Sequence, residues 1–260
     1  MSKVVQMALA TDTQTIEKPI SPAAPHVRAM IVIPAHNEAD SIGTVVEEIR
    51  NQVDYPIVLI DDASVDNTCQ VAHALGLIVI PMANRLGAWG ATQAGIRFAK
   101  AHGYSVVVTM DADGQHDPQY IQPLLDVVVS GQADVCIGAC PDRGSNLRKL
   151  AWRLLRFTSG IRVEDLTSGF RAYNDSAINL LADWRANYLD FQDVGVLSLL
   201  IRGKLVLKDI ETPMRERTNG HSRIFHSWLS VMYYMTHTIM LGLTKRPIRR
   251  YAEQPTVEGR

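Results

Sequence analysis

From residue 29 onward, short β-branched apolar runs alternate with stretches of helical periodicity, and few architectures bury both kinds of segment at once. The spacing predicts strands at Met30 to Pro34, Ile57 to Ile60, Leu77 to Pro81, Ser105 to Met110 and Val135 to Ile137. Helices are expected between them, near Ser41 to Gln52, Thr68 to Leu75, Ala88 to His102 and Pro118 to Ser130. That order implies an α/β fold, a mixed but mainly parallel sheet with helices on both faces. Each strand runs out into polar or glycine-containing sequence: AHNEAD, DDASVDN, ANRLGAWG, DADGQHD and GACPDRG. In an open sheet of this kind ligands bind beyond the carboxyl ends of the strands, so the loops should gather along the edge that binds.

A chain of 260 residues can bury a substantial core. Its net charge of −1 conceals an asymmetry. Residues 29–141 hold 13 Asp or Glu against 4 Lys or Arg, while residues 202–260 hold 5 against 11. The first region suits a metal ion and the second suits anions. Three cysteines, Cys69, Cys136 and Cys140, form no disulfide framework and read as core thiols of a reducing compartment. Residues 1–28 carry no convincing secretory signal and read as a flexible tail, as do residues 248–260.

Past residue 142 the pattern turns helical and basic. Residues 146–158 set Leu147, Leu150, Leu154 and Phe157 on one stripe and Arg148, Lys149, Arg153 and Arg156 elsewhere. Residues 225–243 contain no Asp, Glu, Lys or Arg, yet Trp228, Val231, Met232, Met235 and Ile239 share one helical face and His226, Ser230 and His237 the other. An amphipathic helix over 226–247 is expected, lying in a membrane interface or against another subunit rather than spanning a bilayer. A homo-oligomer is therefore one expectation; nucleic acid is not an expected partner.

Residues 107–118, VVTMDADGQHDP, carry the most chemistry. The strand delivers Asp111 and Asp113, one alanine apart, to its C-terminal tip. Two carboxylates that close repel unless a cation lies between them, and a hard divalent ion carried by a diphosphate satisfies both. An acidic turn after a strand, with no ligand at all, is the competing explanation. His116 reads as lying behind the pair or facing solvent, since alternate residues of an extended segment point opposite ways.

Five segments, IVIPAHNEADSI (31–42), LIDDASVDNT (59–68), NRLGAWGATQAGIRF (84–98), TMDADGQHDP (109–118) and DLTSGFRAY (165–173), occur in the order and spacing of family 2 glycosyltransferases. The chain resembles that family over about residues 29–225, and within it the polyprenyl-phosphate (dolichyl-phosphate) mannosyltransferase branch. The resemblance implies a GT-A, Rossmann-like domain over 29–225 and a nucleotide-sugar pocket formed by Pro34, Ala35, Asn37, Glu38, Asp61, Asp62, Gly87, Asp111, Ala112 and Asp113. It places base recognition on Asp61 and Asp62, with Asp62 favoured, and a Mg²⁺ or Mn²⁺ ion on Asp111, Asp113 and Gln115, all oxygen donors suited to such ions. Glu38 reads alternatively as a carboxylate favouring the start of the next helix.

On the acceptor side, Ser168 would hydrogen-bond a phosphate, and Arg171 reads either as part of that turn or as an outward salt-bridge residue. Arg217 and Arg223 match two basic positions that grip phosphates, Arg223 standing where the branch usually has Lys. Cys140 stands where Arg is frequent, with Arg143 close by. Asp193 falls near an acidic position used as a catalytic base toward hydroxyl acceptors; an anionic lipid phosphate needs no such base.

The expected catalytic residues are thus Asp113, Asp193 and Arg217. The expected activity is inverting, metal-dependent transfer of a sugar from a GDP- or UDP-sugar to a polyprenyl phosphate. The expected setting is cytoplasmic, peripheral on the cytoplasmic face of a membrane. Transfer to a hydroxyl of a growing glycan and non-catalytic nucleotide binding are the alternatives.

Overall fold

The computed structural model describes residues 27–140, 163–188 and 194–215. Asp193, Arg217, Arg223, Arg143 and the helical patterns expected over 146–158 and 226–247 lie outside the described residues.

Strands β1 (Ala29–Ala35), β2 (Ile57–Asp61), β3 (Ile78–Pro81) and β4 (Val106–Thr109) follow the expected order, separated by helices α1 (Ile42–Gln52), α2 (Thr68–Ala74) and α3 (Gly87–Ala101). A short 3-10 turn at Pro118–Tyr120 leads into α4 (Ile121–Val129), then β5 (Val135–Ala139). The turn starts where expected because Asp117 caps it, its side chain accepting from the Gln119 N–H, with Pro118 at the first helical position.

Beyond β5 the described chain adds β6 (Arg171–Tyr173), α5 (Asp175–Leu181), a 3-10 segment at Trp184–Tyr188, α6 (Val194–Arg202) and β7 (Leu207–Glu211). The sheet runs β3-β2-β1-β4-β6-β5-β7. β1 to β4 pair in parallel, and β6 inserts antiparallel between β4 and β5. β1 therefore lies between β2 and β4, with β2 and β3 laid to one side and β4 to the other. That reversal of direction opens a crevice at the carboxyl ends of β1 and β4.

Alternation along β1 splits the core in two. Ile31 and Ile33 face the side covered by α1, α2 and α4, while Met30 and Val32 face the side covered by α3, α5 and α6. All four are at most 1% exposed. Burying each such side chain contributes about 1.5–3 kcal/mol, so both faces are anchored. Ahead of β1, Val27 packs on the core, and the Arg28 carbonyl accepts from the Ser105 and Val106 N–H groups.

Three side chains on successive turns of α3 tie the later segment to the sheet. Trp89 Nε1 donates to the Ala186 carbonyl, Gln93 to the carbonyls of Leu181 and Asp183, and Arg97 Nε to that of Ala182. They satisfy carbonyls that the ends of α5 and the following turn leave open. Among the described residues, no helix is long and apolar enough to cross a membrane.

Candidate active site

The loops after β1 and β2 are laced together by residues of both. The Asn37 N–H donates to Ser64 Oγ, and Asn37 Oδ1 accepts from the Val65 N–H. The Glu38 N–H donates to Thr68 Oγ1 and the Ala39 N–H to Asp66 Oδ2. Burial opposes ionisation of Asp66, but hydrogen bonds from Thr68 and the backbone of Ala39 outweigh it and hold its carboxyl below the usual range. Glu38 Oε2 accepts from Ser41 Oγ at the start of α1, in line with the helix-start reading of that carboxylate. Pro34 and Ala35 form the end of β1, and the Ala35 carbonyl takes the Asp62 N–H. The side chains of Asn37 and Glu38 thus hold this corner in shape.

Asp61 and Asp62 are both buried, and they do different things. Asp62 reaches across to the loop before α3, accepting from the Leu86 N–H at 2.6 Å and the Gly87 N–H at 2.9 Å. Base recognition was expected mainly of Asp62, yet both of its oxygens are engaged in shaping that loop. Asp61 Oδ2 accepts from the Ser64 N–H, whereas buried Oδ1 has no hydrogen-bond partner among the described residues. Burial and the Asp61 carboxylate push the Cys69 thiol up. Asp61 Oδ1 is thus the one carboxylate oxygen of the two acids without a hydrogen-bond partner among the described residues.

Replacing Asp62 by Ala should strand two backbone N–H groups. A loss of about 2–4 kcal/mol is expected in chemical unfolding, with Asp62→Asn costing less because it keeps one acceptor.

Asp111 and Asp113 follow β4 directly, with Ala112 turned inward between them and buried. Gly114 then takes φ +75°, a left-handed conformation that glycine adopts without strain, and the chain doubles back. Asp113 Oδ1 accepts from the Gln115 N–H. The reversal carries His116 beneath the acidic pair, 1% exposed, with Nε2 3.1 Å from Asp111 Oδ2 and its ring 5.1 Å from that of Phe170. The solvent-facing option for His116 is excluded, and it lies behind the carboxylates.

The turn is also held from outside. His116 pairs with Met214 in an antiparallel bridge, and the Arg215 N–H donates to the Gln115 carbonyl. The Arg215 guanidinium meets both Glu48 oxygens at 2.9 and 2.7 Å and Asp117 Oδ2 at 3.1 Å. Nothing in the sequence singled out Arg215, because Glu48 lies 167 residues away.

The acceptor-side expectations need two corrections. Arg171 is buried at 1% exposure in β6, donating to the Leu166 carbonyl, so it is not an outward salt-bridge residue. Ser168, expected to meet a phosphate, is buried at 1% exposure, and its Oγ accepts from the Phe170 N–H. Asp165, unremarked in the sequence, organises this turn by accepting from the Thr167 N–H and hydroxyl.

Asp111, Asp113 and Gln115 therefore share one turn at the crevice edge, with Asp61 and Asp62 at the tip of β2, two strands from β4. Among the described residues, no group of three or more His, Cys, Asp or Glu is arranged to enclose a metal. Two carboxylates and an amide, all bearing oxygen donors, are the ligand types that suit a hard ion whose remaining ligands are phosphate oxygens.

Residues 30–181 match the family described as Glycosyl transferase family 2. The chain is 34% identical over 166 residues to the polyprenol monophosphomannose synthase of Mycolicibacterium smegmatis, a match spanning 57% of this chain and 62% of that protein. It is 29% identical over 171 residues to the undecaprenyl-phosphate mannosyltransferase of Micrococcus luteus, spanning 60% and 70%. Among solved structures, glucosyl-3-phosphoglycerate synthase of Mycobacterium tuberculosis superposes with a TM-score of 0.63 over 84% of this chain and 80% of that one, at 19% identity, a likeness of fold.

Proposed function

The chain belongs to glycosyl transferase family 2, and from that premise we propose that it transfers a sugar from a nucleoside-diphosphate donor to a polyprenyl phosphate, with inversion at the anomeric carbon. The observation that carries this reading is the acidic turn 111–115 at the crevice edge, in a chain whose relatives of known name act on polyprenol and undecaprenyl phosphates. Enzymes of the same fold have been crystallised with Mn²⁺ and UDP, which favours a metal-assisted donor site.

In this reading Asp61 Oδ1, buried and without a hydrogen-bond partner among the described residues, takes a donor N–H or O–H from the base or ribose. Asp62 acts indirectly, by fixing the Leu86–Gly87 turn beside the donor. Asp111, Asp113 and Gln115 would hold Mg²⁺ or Mn²⁺, whose charge, when bound, offsets the negative charge that grows on the departing diphosphate. Arg217 and Arg223 supply further positive charge to phosphates, a task suited to their planar forks. An oxygen of the lipid phosphate attacks the anomeric carbon from the face opposite the nucleotide. The new C1–O bond forms as the bond to the diphosphate breaks, and the nucleoside diphosphate leaves.

A lipid phosphate is anionic already, so no residue has to remove a proton from it. That gives the reading its test. The protein is incubated with Mn²⁺, a polyprenyl phosphate and radiolabelled UDP- and GDP-sugars. Transfer of label to the organic phase is expected, abolished by EDTA, with Asp193→Asn retaining activity within about threefold. A loss of roughly 100-fold or more in Asp193→Asn, with label passing to a hydroxyl acceptor, would move the reading to the glycan alternative. Membrane contact, on this view, is peripheral and made by the basic C-terminal third.

A further inference from the structure

His116 is the feature of the site that the proposed reaction does not use. We propose that it is a positioning residue, whose Nε2–H aims the Asp111 carboxylate and so sets the affinity of the acidic turn for a hard divalent cation. This rests on the function proposed above.

The ring is 1% exposed, and Nε2 lies 3.1 Å from Asp111 Oδ2. An ionised carboxylate only accepts, so the contact requires the proton on Nε2. Nδ1 is then left as a bare acceptor in neutral histidine, and among the described residues it is buried with no partner. An apolar side chain of similar size would pack against Phe170 without that unsatisfied atom. What the imidazole contributes and an apolar group cannot is one directed N–H at Asp111.

The ring is also held so that it delivers that hydrogen bond in one direction. The backbone of His116 is bridged to Met214, and its plane is tilted 36° on the Phe170 ring. The hydrogen bond to Oδ2 restricts rotation of the Asp111 carboxylate. Hydrogen-bonded partners of this kind, one shell behind a metal-binding carboxylate, typically alter metal affinity by about 10–100-fold. Nothing here depends on a change of protonation.

The test measures binding rather than turnover. Wild type, His116→Phe and His116→Gln are titrated with Mn²⁺ in the presence of saturating UDP or GDP, free Mn²⁺ being read by electron paramagnetic resonance. Nucleotide affinity is measured separately in EDTA. His116→Phe should bind Mn²⁺ about 10–100-fold more weakly. His116→Gln, which keeps an N–H donor, should recover part of that loss, and metal-free nucleotide affinity should stay within about twofold in both. If the phenylalanine variant does not fold, His116→Met serves as the donor-free variant. Mn²⁺ affinity within twofold of wild type in the donor-free variant overturns the positioning role alone. An equal loss in the glutamine variant, or a parallel loss of metal-free nucleotide binding, assigns His116 to packing and overturns it too. A wild type that binds no Mn²⁺ with either nucleotide removes both this inference and the function on which it rests.

Discussion

Asp113→Asn is expected to lower turnover by about 10³-fold at saturating donor while leaving the fold intact. A metal bridging a diphosphate supplies several kcal/mol of charge stabilisation to the breaking bond, and about 4 kcal/mol corresponds to a thousandfold in rate. Asparagine is close in shape to aspartate and keeps an oxygen for the Gln115 N–H, which Asp113 Oδ1 accepts at 3.1 Å. The turn through Gly114 is therefore retained, and thermal stability should change by no more than about 0.5 kcal/mol. What would disappear, on the proposed reading, is a negative charge directed at the dication. Donor binding measured by calorimetry should become nearly indifferent to Mn²⁺, whereas the wild type should bind donor more tightly with the metal than without it. A variant with activity within tenfold of wild type would take the metal away from residues 111–115.

The acidic turn was readable because its signal is local: a β-branched run, two acids and a glycine, all within nine residues. The first five strands and four helices were readable for the same reason, their periods being written in consecutive residues. β6 was not. Three residues, Arg171–Tyr173, show no period, and only the pairing with β4 and β5 makes them a strand. The same pairing explains why Arg171 lies inside when an isolated arginine reads as a surface residue.

At the site, long-range bonds were invisible in the same way. Asp62 was read as the acid that recognises the base, and its role in the loop was hidden because its partners, Leu86 and Gly87, lie 24 and 25 residues on. Alternation left His116 either behind the acidic pair or facing solvent, and only the turn through Gly114 at φ +75° with the resulting burial decides for the first. Sequence reading thus found the residues that stand at strand tips, and missed the partners that orient them.

Gly95 offers the sharpest test of how α3 sits on the sheet, because packing and helix propensity predict opposite signs there. A glycine inside a helix is less favourable than alanine by about 0.5–1 kcal/mol, so Gly95→Ala would stabilise the protein if space allowed. It does not: an added Cβ would lie 2.2 Å from Val32 Cγ1 and 3.2 Å from Ile60 Cγ1. Both neighbours are fully buried β-branched residues in central strands, with no free volume to move into. Overpacking of this kind costs about 1–3 kcal/mol, so the midpoint of thermal unfolding should fall by roughly 2–10 °C. Gly43 in α1 is the control, since nothing lies within 4 Å of its added Cβ, and Gly43→Ala should raise the midpoint. The effect should also reach the site. α3 begins at Gly87, whose N–H is held by Asp62, and it carries the Trp89, Gln93 and Arg97 donors that fix residues 181–186, so a displaced helix disturbs both ends of the crevice. Donor affinity in Gly95→Ala should therefore drop along with stability. If both glycine variants stabilise equally, α3 does not pack against β1 and β2 at this distance.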